Sequence, residues 1–233
     1  MLAVAGGKGG CGKTTTALGL ALAAARRGEP SLVVDADVEM PDLHLVAGVD
    51  REPHLGSGLP EAVAQPVPGW PEARVLPAPP LGTDVNLERA LDRCRFADGP
   101  FVLVDCPAGA GPDAARPLRV ADLTLVVTTP TPASLENAAK TAAMSRAVGT
   151  PVAGAVLART DRVPDGVSDL PDGLEDLLGA PVLGTTPPVA NPLSSVQIAD
   201  TYTPIRRELA KFVPSGGLPA RSVHCGNRRG QSD

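Results

Sequence analysis

Near the start of the chain stands the run Gly7-Lys8-Gly9-Gly10-Cys11-Gly12-Lys13-Thr14, and it constrains the fold more than any other feature. It follows a short apolar stretch, Leu2 to Ala5, and precedes an Ala- and Leu-rich run from Thr14 to Arg27. That run predicts a helix, closed by Gly28 as a left-handed cap. The spacing G-x-x-x-x-G-K-[ST] between strand and helix is that of a loop built to cradle phosphate. Glycines let the backbone wrap closely round phosphate oxygens with N–H groups turned inward. The helix that follows presents its positive end to the same anion. Lys13 is then expected to reach the β- and γ-phosphates of a nucleotide. The Thr14 hydroxyl is expected to coordinate Mg²⁺, and Thr15 to hydrogen-bond the α-phosphate. Cys11 reads as a small filler within the loop.

The next strong apolar segment, Ser31 to Asp35, is a predicted buried strand that ends in a carboxylate. Strand, loop, helix and strand together predict a parallel pair with a right-handed crossover. Proline, glycine and glutamate crowd Arg51 to Pro80, where a short strand, Arg74 to Leu76, is the main regular element expected. A helix over Asp84 to Arg93 follows. Further strands are predicted at Phe101 to Asp105, Leu123 to Val127, Val152 to Leu157 and Pro181 to Gly184. Pro132 opens a helix with Thr131 before it as N-cap and Gly149 after its end. Near-continuous apolar strands alternating with helices predict an α/β fold, a parallel sheet covered on both faces. One domain over residues 1–213 is expected, with an unstructured tail over 214–233.

Composition narrows the partners. The formal net charge of −5 argues against a global attraction to DNA or an anionic membrane. The aromatic residues number five among 233, too few for a platform that stacks single-stranded nucleic acid. Counted from Ile205 onward the C-terminus is locally basic, which leaves a weak polyanion contact open beside the favoured reading, a solvated tail. The four cysteines form no C-x-x-C pair, so neither a zinc knuckle nor a ferredoxin-type cluster is indicated. No signal peptide or membrane-length apolar run is found, so a cytoplasmic protein with reduced thiols is expected.

Lys8 adds a second cation five residues before Lys13, where an ordinary phosphate loop needs none. The run Lys8 to Thr15 resembles the deviant Walker A motif, K-G-G-x-G-K-[ST]-[ST], of the MinD/ParA-type ATPases, a branch of the SIMIBI class. Val34-Asp35-Ala36-Asp37 is similar to that family's D-x-D at the end of its second strand, switch I. Met40-Pro41-Asp42-Leu43-His44-Leu45 looks like the apolar helix that follows. Val102-Leu103-Val104-Asp105-Cys106-Pro107-Ala108-Gly109 is similar to its Walker B and switch II.

The resemblance implies a three-layer P-loop NTPase fold with a mostly parallel sheet. It also implies that ATP and Mg²⁺ are bound, with ATP hydrolysed to ADP and phosphate. Lys8 is implied to cross the interface of an ATP-bound homodimer. Asp37 would orient the attacking water, Asp35 and Asp105 would support Mg²⁺, and Gly109 would let switch II respond to the γ-phosphate. The implied role is positioning of the cell-division site, or partitioning of chromosome, plasmid or cargo. An activating or cargo protein would then be a partner, with a membrane or DNA platform left open.

The base-binding end departs from the family. Ala158 stands where many relatives carry an Asn that holds adenine, which leaves Arg159 to stack on the purine and Pro187 to line it with backbone. Asp161 lies where a guanine-reading Asp would fall, but the Asn and Lys of N-K-x-D are absent, so ATP is expected over GTP. Ile205 to Val213 is short, basic and amphipathic, and is read as core packing rather than a membrane anchor. Two other readings stay open. One is a ligase of the same class, similar to dethiobiotin synthetase or a cobyrinate amidase, that phosphorylates a carboxylate beside the γ-phosphate. The other is an iron–sulfur carrier, which needs paired cysteines near a dimer axis; Cys106 stands next to Asp105 but is unpaired.

Overall fold

The computed structural model describes residues 1–95, 99–160, 173–188 and 196–212. The predicted tail, Val213 and Asp161 lie outside the described residues. The chain runs β1 (Leu2–Gly6), α1 (Lys13–Ala25), β2 (Ser31–Asp35), α2 (Leu43–Ala47), α3 (Pro60–Val63), β3 (Gln65–Val67) and β4 (Trp70–Leu76). It continues α4 (Leu87–Asp92), β5 (Phe101–Ala108), α5 (Pro112–Val120), β6 (Leu123–Thr128), α6 (Pro132–Ala147), β7 (Val152–Leu157), α7 (Leu174–Leu178), β8 (Val182–Thr185) and α8 (Val196–Leu209).

The strands form one sheet in the order β3-β4-β2-β5-β1-β6-β7-β8. Every pairing is parallel except β3 with β4. The strands read as unbroken apolar runs because both faces are covered. Leu2 and Val4 of β1 turn to the face packed by α1, α2 and α8. Ala3 and Ala5 turn to the face packed by α4 and α5. A third cluster joins α6 and α7 to Val126, Ala155 and Val182. This is the expected three-layer, mostly parallel α/β fold.

The crossover expectation needs correcting. β1 and β2 are parallel but not neighbours, because β5 lies between them and pairs with both. The insertion brings the ends of β2, β5 and β1 side by side. The proline-rich stretch is also more ordered than its composition suggests. It folds into the antiparallel hairpin of β3 and β4, which places Pro66 on the edge strand, where no ladder hydrogen bond need be lost. The helix expected from Asp84 starts at Leu87, because the Asn86 side chain caps it by accepting from Arg89 N at 2.9 Å. Thr131 does precede α6, but its side chain makes no cap. The final helix begins at Val196, well before the amphipathic stretch read from Ile205, with Pro204 inside it. Its residues Tyr202, Ile205 and Leu209 are buried against α1, so this helix packs into the core.

Candidate functional site

The loop between β1 and α1 takes its shape from its glycines. Gly10 and Gly12 hold φ values of 74° and 99°, a left-handed region that side chains with a Cβ avoid. Gly7 is confined for another reason. A Cβ there would lie 2.4 Å from the backbone oxygen of Asn137 on α6, so the loop is pressed onto that helix. Cys11 is 3 % exposed, and burial raises its thiol pKa, which makes it packing rather than a reactive group. The tip is open: Lys8, Gly9 and Gly10 are exposed, and nothing lies within 4 Å of a Cβ built on Gly9 or Gly10.

Lys13 opens α1 and is only 8 % exposed. A buried ammonium needs a counter-charge, and an anion cradled in the loop would supply one. Beside it, β2 and β5 pair so that Asp35 stands directly opposite Asp105. Adjacent parallel strands carry such side chains on one face, so two carboxylates are buried together, at 1 % and 2 % exposure. Desolvation raises both pKa values. The neighbouring charge of Asp105 raises that of Asp35 further, while Thr14 and Lys13 pull Asp105 back down. Asp35 accepts from the backbone N–H of Asp37 at 3.0 Å and of Leu43 at 3.3 Å. Asp105 keeps one buried oxygen, Oδ1, with no hydrogen-bond partner.

A buried pair of carboxylates with an unpartnered oxygen, beside a threonine hydroxyl, suits a divalent cation. Among the described residues, no three His, Cys, Asp or Glu side chains could grip an ion alone. Mg²⁺ matches that sparse set, because it keeps several waters and completes its shell with phosphate oxygens.

Residues 2–191 match the CobQ/CobB/MinD/ParA nucleotide binding domain. The chain belongs to this family. An uncharacterised ATP-binding protein of Methanocaldococcus jannaschii is 31 % identical over 201 residues, which cover 80 % of this chain and 73 % of that protein. The cell division ATPase MinD of Pyrococcus furiosus superposes with a TM-score of 0.76 at 26 % identity, covering 91 % of this chain and 98 % of that one. The septum site-determining protein MinD of Pyrococcus horikoshii, complexed with Mg-ADP, shares the fold at a TM-score of 0.74 and 23 % identity, over 91 % and 96 % of the two chains.

As a nucleotide-binding NTPase of the MinD/ParA family, the chain places its motif residues at one end of the sheet. The loop, Asp35, Asp37 and Asp105 converge there. Thr15 is half-buried within α1. Asp37 is turned into its own loop, where its Oδ1 accepts from Met40 N at 3.0 Å. Gly109 donates its N–H to Gly6 O at 3.3 Å, so switch II is tied to the end of β1.

On the far side of the loop, Ala158 packs near Gly12, with 3.4 Å between its Cβ and one built on the glycine. Arg159 is exposed and holds a φ of 56°, an unfavourable conformation for a side chain with a Cβ. Thr160 N donates to Thr186 O at 3.0 Å, which brings Arg159 and Pro187 onto adjoining loops. Cys106 is 1 % exposed, and desolvation raises its thiol pKa, so it does not face a surface where a cluster could bridge two chains.

Motif reading missed one participant. Asp42 precedes α2, where an Asp is ordinarily a helix cap. Its side chain makes no cap. It accepts instead from Thr14 Oγ1 at 2.9 Å, across 28 positions of sequence. A cavity of about 250 Å³ also opens beside switch I, lined by Asp37, Val38, Val85, Leu87, Pro107 and Arg116 among others.

Proposed function

We propose that the protein is an ATP-dependent switch: it binds ATP with Mg²⁺ in the loop 7–14, pairs with a second copy across the triphosphate, and hydrolyses ATP to separate. The observation that carries this reading is the contrast between its two loop lysines. Lys13 is buried at the base of the loop, while Lys8 stands exposed at an open tip. A triphosphate holds more negative charge than one ammonium offsets, so a cation from a facing copy is stabilising.

Phosphoryl transfer to water asks the protein for positioning and charge neutralisation rather than covalent chemistry. Asp37 orients the water once it releases Met40 N. Lys13, with Lys8 of the partner subunit, offsets charge developing on the γ-phosphate oxygens. Thr14, Asp35 and Asp105 would hold Mg²⁺, which would supply further charge neutralisation. Arg159 and Pro187 flank the base. The cell-division and septum-site names of the solved relatives support a positioning or partitioning role with an activating or cargo protein. The platform would be a membrane surface or DNA, reached from the cytoplasm. Among the described residues no helix is long and apolar enough to cross a membrane.

Light scattering after size exclusion tests the switch on an Asp37→Ala variant, which is expected to bind ATP without hydrolysing it. With ATP the mass should double from 23.7 kDa, and with ADP or no nucleotide it should not. A monomer under all three conditions removes the switch.

The cavity beside Asp37 supports a second reading, a ligase that phosphorylates a carboxylate. Val38, Val85 and Leu87 give it an apolar wall, and Arg116 offers a cation to an acid group. Under that reading, small carboxylic acids accelerate ADP release from the monomer. No acceleration across a carboxylate panel would leave the switch alone.

A further inference from the structure

Asp42 is the carboxylate of this end of the sheet to which the motifs give no role. We propose that Asp42 is a positioning residue for the Mg²⁺ ligand Thr14: it accepts the hydrogen bond that the Thr14 hydroxyl donates, so that the Thr14 lone pairs face the metal. This rests on the reading of the loop as an Mg²⁺-nucleotide site.

The argument begins with the hydroxyl. Threonine carries one O–H donor and two acceptor lone pairs, and only a lone pair can bind a cation. Where the proton points therefore decides whether Thr14 is a ligand. The hydroxyl has two carboxylates as possible acceptors, Asp42 and Asp105. Asp42 Oδ1 lies 2.9 Å from Thr14 Oγ1. With the proton committed to Asp42, the lone pairs are released and Asp105 is left to accept from elsewhere. Asp105 is 2 % exposed, and its Oδ1 has no partner, the state expected of an oxygen that receives a hydrogen bond from metal-bound water.

A plain structural role for Asp42 explains less. It is exposed and does not cap α2, and a surface hydrogen bond contributes little to stability. Leu43 and Ala47 already anchor α2 in the core, and Leu43 N is held by Asp35. Carboxylates that orient a metal ligand from outside the coordination shell typically change metal affinity by about 10–100-fold when removed.

The test measures release of a fluorescent ADP analogue, N-methylanthraniloyl-ADP, from the full chain as free Mg²⁺ is varied. In the unsubstituted protein Mg²⁺ should slow release. Asp42→Ala should raise the Mg²⁺ concentration for half-maximal slowing about 10–100-fold, with release in EDTA unchanged. Asp42→Asn keeps an oxygen that can accept the Thr14 hydrogen bond, and should stay within about threefold of the unsubstituted protein. In a Thr14→Ala background the Asp42→Ala change should lose its effect, because the two residues act as one unit.

An unchanged Mg²⁺ midpoint in Asp42→Ala overturns the proposal, as does an equal shift in Asp42→Asn or full additivity with Thr14→Ala. Thermal melting in EDTA checks folding, and the asparagine variant keeps the test decisive if the alanine variant unfolds. If the unsubstituted protein releases ADP at a rate independent of Mg²⁺, the metal reading itself fails, an outcome distinct from the others.

Discussion

Asp35 and Asp105 are held side by side by strand register, and each carries a raised pKa because burial disfavours its charged form. The folded chain therefore binds more protons than the unfolded chain from the ordinary carboxylate value of 3.8 upward into the neutral range. Stability of the nucleotide-free protein falls as pH rises through that window. Asp105→Asn removes one charge of the pair at nearly unchanged side-chain size. Melting without nucleotide should show this variant above the unsubstituted protein at pH 8, by roughly 2–4 °C for each kcal/mol recovered, and little changed at pH 5. The same variant should lose the Mg²⁺-dependent slowing of ADP release. A lower melting temperature at pH 8 would mean that the pair is not a store of repulsion. Lys13→Ala acts on the nucleotide directly. It deletes the buried phosphate cation, and calorimetry should find ATP affinity reduced by at least about 100-fold, the scale of a lost charge-assisted hydrogen bond in a desolvated site.

α8 packs closely against α1, and one glycine permits it. A Cβ on Gly19 would fall 2.2 Å from the Tyr202 ring, whose hydroxyl shares a hydrogen bond of 3.1 Å with Thr16. Tyr202 is fully buried, so the ring cannot swing aside. Gly19→Ala should therefore destabilise the protein by about 3 kcal/mol despite alanine's better helix propensity, read as a lower denaturation midpoint. Neutral or improved stability would show that α8 can shift. Nothing local in the sequence marks Gly19, since its role depends on Tyr202, on the last helix of the fold. Legibility follows this rule elsewhere. The phosphate loop was readable because its chemistry lies within consecutive residues. The ends of β2 and β5 were readable as carboxylates, but their pairing was not, because it depends on β5 entering between β1 and β2. Asp42 shows the same limit, as its partner Thr14 lies on another element. Of the hairpin, Arg74 to Leu76 is legible as a strand, while β3 and the start of β4 are not, because proline and glycine mask a short pattern that tertiary pairing completes.

At the scale of the whole molecule, the net charge of −5 sets two copies against each other. Under the proposed switch, association would therefore be driven at a local point, and an open cationic loop tip over a bound polyanion would provide one. This separates the two lysines by experiment. Lys8→Ala leaves the buried Lys13 and the backbone cradle intact, so a monomer should bind ATP within about threefold of the unsubstituted affinity. Combined with Asp37→Ala, which preserves bound ATP, it should nevertheless remain at 23.7 kDa in light scattering. Added salt should weaken the dimer of Asp37→Ala alone, because exposed cations approaching from a second copy are screened before they dock. If Lys8→Ala still gives a doubled mass with ATP, the contact across the interface lies elsewhere on the surface. If it abolishes ATP binding to the monomer, Lys8 serves its own loop rather than a partner's phosphate.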